Sequence, residues 1–273
     1  MTSDLLTENI FPLPGGLVLR LDEVLNHARL RPLSGREEEW LACHSAIPSA
    51  ARVSWLLHAC MLSLNDHPVT PELVGQLLVA DRDYLILQLR RLTLGDQVQA
   101  VVSCPDCGQK MDVAFQANEV PVAVRPQRAA SYSLELAEGS VRFRLPTGAD
   151  QEAVLAAQPE DGVAELLGRC MLDDGKREMS REEQDTVIAA MEQLAPQVEL
   201  ELDLTCPECS RHFLAPFDMT AFFFEEMASR GQDLLHEVHA LAFYYHWSES
   251  EILSLERHRR RAYLNLLNES LRQ

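Results

Sequence analysis

No uncharged apolar run in this sequence approaches the ~20 residues that a membrane helix requires, so no bilayer span is expected. Basic residues are scarce: 24 Lys and Arg stand against 42 Asp and Glu, a net charge of -18. Phosphate contacts need clustered cations, so general nucleic-acid binding is not expected. A glycine-rich phosphate loop is also missing. His236 and His239 flank Glu237, one residue too close together for the HExxH zinc arrangement. The opening Met1, Thr2, Ser3 and Asp4 lack the basic flank and apolar run of a secretory leader. A reducing cytoplasm is therefore the expected setting, where cysteines ligate metals rather than form disulfides.

Against these absences stand seven cysteines, four of them in two short pairs. The first pair is Cys104-Pro105-Asp106-Cys107 and the second is Cys206-Pro207-Glu208-Cys209. Strand-like runs at 98–103 and 111–115 flank the first, and 198–205 and 213–217 flank the second. A CxxC at a tight turn aims both sulfurs at one spot, and two such turns supply the four thiolates of a tetrahedral zinc site. A redox role needs CxxC at a helix N-terminus with one thiol pKa lowered, and here strands lie on both sides. The expectation is one structural Zn2+ on Cys104, Cys107, Cys206 and Cys209. With its shell full, that ion keeps no open position for a catalytic water. His212, three residues past Cys209, has no counterpart after the first pair and is left out of the site. Cys43, Cys60 and Cys170 read as buried packing thiols.

The order of elements repeats along the chain. Residues 30–35 (Leu-Arg-Pro-Leu-Ser-Gly) are echoed by 143–148 (Phe-Arg-Leu-Pro-Thr-Gly). Val53, Leu56, Leu57, Cys60, Met61 and Leu62 are matched at one fixed offset by Val163, Leu166, Leu167, Cys170, Met171 and Leu172. Capping boxes start helices at Ser34 with Glu37, Ser180 with Glu183 and Ser248 with Glu251. Thr70 with Pro71 starts another, expected to run past Leu92 to Gly95. Residues 51–64 read as one helix, as do 234–247, and the Ser248 helix is expected to continue through Leu255, Tyr263 and Leu266.

The expected fold is α+β and mostly helical. It is an internally duplicated helix/β-hairpin unit joined by a shared four-cysteine, zinc ribbon-like site, followed by C-terminal helices. The boundaries are an irregular N-terminal arm at 1–16, a first repeat at 17–120, a linker at 121–131, a second repeat at 132–218 and a helical segment at 219–273.

Residues 89–96 (Leu-Arg-Arg-Leu-Thr-Leu-Gly-Asp), then a strand, then Cys-Pro-Asp-Cys-Gly, resemble the T4-type phage baseplate protein family. Relatives of that family occur in contractile phage tails and bacterial contractile injection systems. The run from His239 to Leu253 and the Arg259-Arg260-Arg261-Ala262-Tyr263-Leu264 stretch are similar to the same family. The resemblance implies a non-enzymatic structural or assembly protein of a baseplate, with other baseplate or tail proteins as partners. It implies no small-molecule substrate and offers no catalytic residue to map. Its setting would be the cytoplasm of the producing cell, with incorporation into the particle. Tyr, Trp and Arg dominate protein interfaces, so Tyr244, Tyr245, Trp247, Arg259, Arg260 and Tyr263 are the candidate partner surface. The alternative is a zinc-ribbon nucleic-acid-binding or transcription-associated protein, which should cluster cations around the cysteines. Only Lys110 and Arg211 are there.

Overall fold

The computed structural model describes residues 9–19, 23–125, 128–137, 139–157, 161–173, 179–198 and 200–272. Residues 1–8 of the expected arm lie outside them. The chain is α+β, with eleven α-helices and nine strands among the described residues.

The first half begins with a three-stranded antiparallel sheet of β1 (Ile10–Val18), β2 (Val24–Leu30) and β3 (Met61–Leu64), in that order. Pro12, Pro14, Gly15 and Gly16, which predict irregular backbone, fall inside β1. The strand absorbs them in a register shift between Pro12 and Leu17, with Gly16 at a φ of 72° that suits glycine. Helices α1 (Gly35–Cys43) and α2 (Ser49–Cys60) follow β2. The helix expected over 51–64 ends at Cys60, because the next residues extend and pair with β2, Leu30 facing Met61. Cys60 and Cys170 are buried as expected, but Cys43 is exposed at the last position of α1. Next come α3 (Pro71–Gln76), α4 (Val79–Leu94) and the hairpin of β4 (Gln97–Ser103) and β5 (Lys110–Gln116).

The second half opens with a hairpin of β6 (Tyr132–Leu136) and β7 (Gly139–Phe143). Helices α5 (Gly148–Ala157), α6 (Gly162–Cys170) and α7 (Arg181–Leu194) lead to the hairpin of β8 (Leu200–Thr205) and β9 (His212–Phe217). Phe143 bridges to Met171, as Leu30 pairs with Met61 in the first half. The chain closes with α8 (Met219–Ser229), α9 (Gly231–Tyr245), α10 (Glu249–Leu253) and α11 (Arg257–Leu271).

By packing, the chain divides into two compact units. One comprises Met1–Leu30, Ile47–Leu85 and Val122–Val198; the other comprises Arg31–Ala46, Ile86–Pro121 and Glu199–Gln273. In the first, α5 packs on α2 and α3, and Tyr132, Val141, Phe143, Leu145, Leu167 and Val187 form a core. In the second, α1 packs on α8, α9 and α10.

Each unit contains the same local device. In one, the Arg31 guanidinium grips Glu37 with two bonds of 3.1 and 2.9 Å, while Glu37 accepts from the Ser34 N–H at 2.8 Å and its hydroxyl at 2.7 Å. In the other, Arg144 grips Asp150 at 2.5 and 2.9 Å, and Asp150 accepts from the Thr147 N–H at 3.0 Å and its hydroxyl at 2.8 Å. Burial is the largest influence on Asp150 and acts upward. The Arg144 and Thr147 bonds outweigh it and hold the carboxyl down at about 2.

The following glycine then meets a helix break. The Gly35 N–H donates to the Leu255 carbonyl at 3.2 Å, and the Gly148 N–H donates to the Leu77 carbonyl at 2.9 Å. Both long helices expected from the caps at Thr70 and Ser248 are broken there, into α3 and α4 and into α10 and α11. A carbonyl turned toward a distant N–H cannot continue the i to i+4 ladder. Past each break a buried arginine lies over the glycine: Arg260 over Gly35 and Arg82 over Gly148. One common spacing separates Thr70 from Ser248, Leu77 from Leu255 and Arg82 from Arg260. The α10–α11 pair thus takes in its unit the place that the α3 break and the start of α4 take in theirs.

Candidate metal centre

Two β-hairpins of the second unit build the site. The Cys104 N–H donates to the Gln109 carbonyl at 2.8 Å, and the Gly108 N–H returns to the Cys104 carbonyl at 3.0 Å. The second knuckle repeats this, with Cys206 N–H to Arg211 carbonyl at 2.8 Å and Ser210 N–H to Cys206 carbonyl at 2.9 Å. Both turns need a left-handed residue at the same place, Gly108 at a φ of 73° and Ser210 at 59°. Glycine takes that conformation freely and serine at some cost.

The knuckles bring all four ligand atoms within 4.8 Å of one another. Cys104 Sγ lies 3.7 Å from Cys209 Sγ, and Cys107 Sγ lies 3.6 Å from Cys206 Sγ. Tetrahedral zinc with bonds of about 2.3 Å sets its sulfurs about 3.8 Å apart, whereas a disulfide needs about 2.05 Å. The donor set and its spacing therefore fit a tetrahedral thiolate ion site. Cys104 and Cys206 are buried against Met111, Leu204 and Phe213, while Cys107 and Cys209 are exposed. The Cys209 N–H, helped by the Glu208 N–H and neighbouring sulfurs, draws the Cys206 thiol down to about 7. For Cys107 the Gln109 N–H is the largest influence and lowers the pKa. Desolvation and hydrogen bonds with Cys206, Cys209 and Cys104 together outweigh it and push that thiol up to about 12.

Around the sulfurs, Arg211 of one knuckle meets Asp106 of the other at 3.7 Å. Phe115 of β5 meets Phe217 of β9 edge-on at 5.2 Å, and Phe217 packs on Phe222 of α8 at the same distance. His212 is exposed and pairs with Asp203 at 2.5 Å, away from the cluster. Among the described residues no other group of three or more His, Cys, Asp or Glu converges in this way. Of the two cations near the knuckles, Lys110 is exposed and Arg211 is taken by Asp106.

The candidate partner residues are distributed unevenly. Tyr244 and Arg259 are exposed; Tyr245, Trp247 and Tyr263 are half-buried. The last three pack ring on ring, at centroid distances of 5.1, 5.8 and 4.8 Å, and the Tyr245 hydroxyl donates to the Tyr263 carbonyl at 3.3 Å. Arg260 is fully buried. Its guanidinium donates to Glu38 at 2.7 Å, Glu237 at 2.9 Å and the Leu255 carbonyl at 2.7 Å. Arg257 reaches the other Glu38 oxygen at 3.0 Å, and burial lowers its pKa. The sequence reading missed Glu38 and Glu237 as partners of the Arg cluster.

A family model described as T4 bacteriophage base plate protein matches residues 22–225. The chain belongs to that base plate family. Neither a curated protein nor a solved structure matches it. The four clustered cysteines of this base plate protein all lie inside the matched span, whereas α10 and α11 lie beyond it. Among the described residues no helix is long and apolar enough to cross a membrane.

Proposed function

We propose that this chain is a structural or assembly protein of a contractile tail or injection-system baseplate, acting through protein contacts and catalysing no reaction. Its form is held by one Zn2+ on Cys104, Cys107, Cys206 and Cys209. Its partners are other tail or baseplate proteins, met first in the cytoplasm of the producing cell and then in the assembled particle. The convergence of the four sulfurs from hairpins a hundred residues apart, in a chain of the base plate family, carries this reading. A bound zinc would offset the charge of the thiolates and tie the two hairpins together. Such an ion contributes to folding, because the unfolded chain has no preformed site.

The surface offered to partners centres on α9. Phe243 is 64% exposed, stacks with His239 at 6.3 Å and meets Tyr244 edge-on at 5.0 Å. Tyr245, Trp247 and Tyr263 form a rigid aromatic support beside it, with Arg259 at its margin. Arg260 belongs beneath this surface, holding α11 to α1 and α9. Purified protein should carry about one zinc per chain. A tagged chain should copurify with baseplate or tail proteins from producing cells, and Phe243→Glu with Tyr244→Glu should abolish that while leaving zinc content and thermal midpoint unchanged. Metal-free wild type would overturn the zinc assignment. Undiminished copurification of the double variant would overturn the aromatic surface.

A further inference from the structure

A groove of about 660 Å³ lies in the second unit between β4 and α8. Leu94 and Phe222 contribute its apolar walls, Gln97 and Gln99 of β4 form one side, and Glu225, Glu226 and Asp233 give it an acidic border. Glu226 is committed to Arg90 at 3.3 Å and Arg230 at 2.9 Å. Glu225 and Asp233 are exposed and have no ion pair among the described residues. Arg230 also lines the groove, and Glu226 is shared between two arginines, so the border as a whole carries one net negative charge, presented by the unpaired Glu225 and Asp233.

The β4 side of this groove is an open strand edge. β4 pairs with β5 and with no other strand among the described residues. The ladder parity says which backbone groups face outward. Cys104 N–H donates to Gln109 and Ala117 N–H donates to Asp96, so even-numbered residues of β4 bond to β5. Odd-numbered residues then turn their N–H and C=O away from β5. The Gln97 carbonyl confirms this parity, since it accepts from the Arg90 guanidinium at 2.8 Å. Gln99 and Val101 remain with outward backbone groups, and Val101 is 61% exposed. An unpaired edge beside a helix-walled groove is the arrangement into which extended peptides add as a strand, the backbone giving affinity and alternate side chains giving choice.

We propose that this groove docks an extended segment of a partner protein, in which aliphatic and basic residues alternate, as a third strand on the open edge of β4. One face of the segment would pack on Leu94 and Phe222. Lysine or arginine side chains would reach Glu225 and Asp233. The proposal is independent of the zinc site and of the aromatic surface on α9.

The probe is a fluorescein-labelled peptide of alternating valine and lysine, followed by fluorescence anisotropy with the full wild-type chain. The same peptide N-methylated at every residue keeps its charge but has no N–H left to pair along either edge. It should bind at least about tenfold more weakly, a difference of about 1.4 kcal/mol. Gln99→Pro removes one outward N–H and spares the β5 ladder, so it should weaken the parent peptide by about the same factor. Glu225→Lys with Asp233→Lys should also weaken it about tenfold, and a valine–glutamate peptide should not bind wild type. Equal affinity for the parent and methylated peptides would reduce the effect to attraction by an acidic chain and overturn the proposal. Failure of the parent peptide to bind would overturn it as well. The methylated probe acts on wild-type protein, so its result does not depend on how any variant folds.

Discussion

Replacing Arg260 by methionine keeps the aliphatic stem and removes a fully buried guanidinium. Three charge-assisted bonds go with it, to Glu38, Glu237 and the Leu255 carbonyl. Glu38 keeps Arg257, but Glu237 is left as a buried carboxylate without its cation. Taking one partner from a buried ion pair costs about 3–5 kcal/mol, because the remaining charge is stranded away from water. Arg82 sits at the matching place over Gly148 and is as deeply buried, yet its situation is opposite. It donates to the Ala50 carbonyl at 2.7 Å and the Ser54 hydroxyl at 2.6 Å, while the acid it pairs with, Glu152, lies 3.5 Å away and is 35% exposed. Its Nε and its other terminal nitrogen have no hydrogen-bond partner among the described residues, and burial lowers its pKa. Unsatisfied buried donors cost about 1–3 kcal/mol each, so removing them offsets most of what Arg82→Met loses. The net loss should stay under about 1.5 kcal/mol. In urea, with a slope of about 3 kcal/mol per molar, Arg260→Met should lower the midpoint by about 1 M or more, and Arg82→Met by less than about 0.5 M. Native-state hydrogen exchange should place the Arg260 loss in α1, α9 and α11. Equal losses, or a larger one for Arg82, would refute the reasoning from unsatisfied donors.

Three further outcomes follow from other parts of the molecule. Cys104→Ser should release the zinc and lower the thermal midpoint by many degrees, read by metal analysis and calorimetry; a variant that keeps its metal and its midpoint would contradict the shared site. Gly148→Ala should cost about 1–3 kcal/mol by denaturant titration, since a methyl there would overlap the Arg82 guanidinium. Asp81 is fully buried and accepts from the Gly15 and Gly16 N–H groups at 2.7 and 2.9 Å. Burial is its largest influence and raises its pKa to about 6, against the glycine bonds and the Arg125 and Arg128 charges that lower it. The folded state therefore holds this proton more tightly than the unfolded chain. The contribution is full below about pH 3.8 and is lost as pH rises through about 6. Asp150, held at about 2, has the opposite sign but acts only below about pH 3.8. Thermal midpoints between pH 4 and 6 should accordingly fall with rising pH in wild type and flatten in Asp81→Asn.

The starts of helices were legible because a cap involves only a few neighbouring residues. Ser34 with Glu37, Ser180 with Glu183 and Ser248 with Glu251 all form the boxes that their spacing predicts. The knuckle hairpins were legible for the same reason, since the turn chemistry lies between the paired cysteines and their flanking strands. Helix ends were not. The carbonyls at the breaks, Leu77 and Leu255, are claimed by Gly148 and Gly35 from far away, partners that no local pattern around either leucine names. Arg257, Arg259, Arg260 and Arg261 are contiguous in sequence with only His258 between them, and adjacency alone does not say which of them pair within this acidic chain. In α11 they split by helical phase, Arg257 and Arg260 turning inward to Glu38 and Glu237 while Arg259 and Arg261 face water.

The residues alone determined where helices begin, where the backbone turns, that the chain is acidic, and that two pairs of thiols are presented on hairpin tips. Each of these depends on interactions within a few positions, so the local order of side chains suffices. Packing alone decided that the two pairs meet, that two arginines of similar sequence setting differ in how fully they are paired, and that β4 keeps an open edge beside a groove. Those outcomes depend on which distant segments share a compact unit, and long-range placement reflects the free energy of the whole core rather than any short stretch of it.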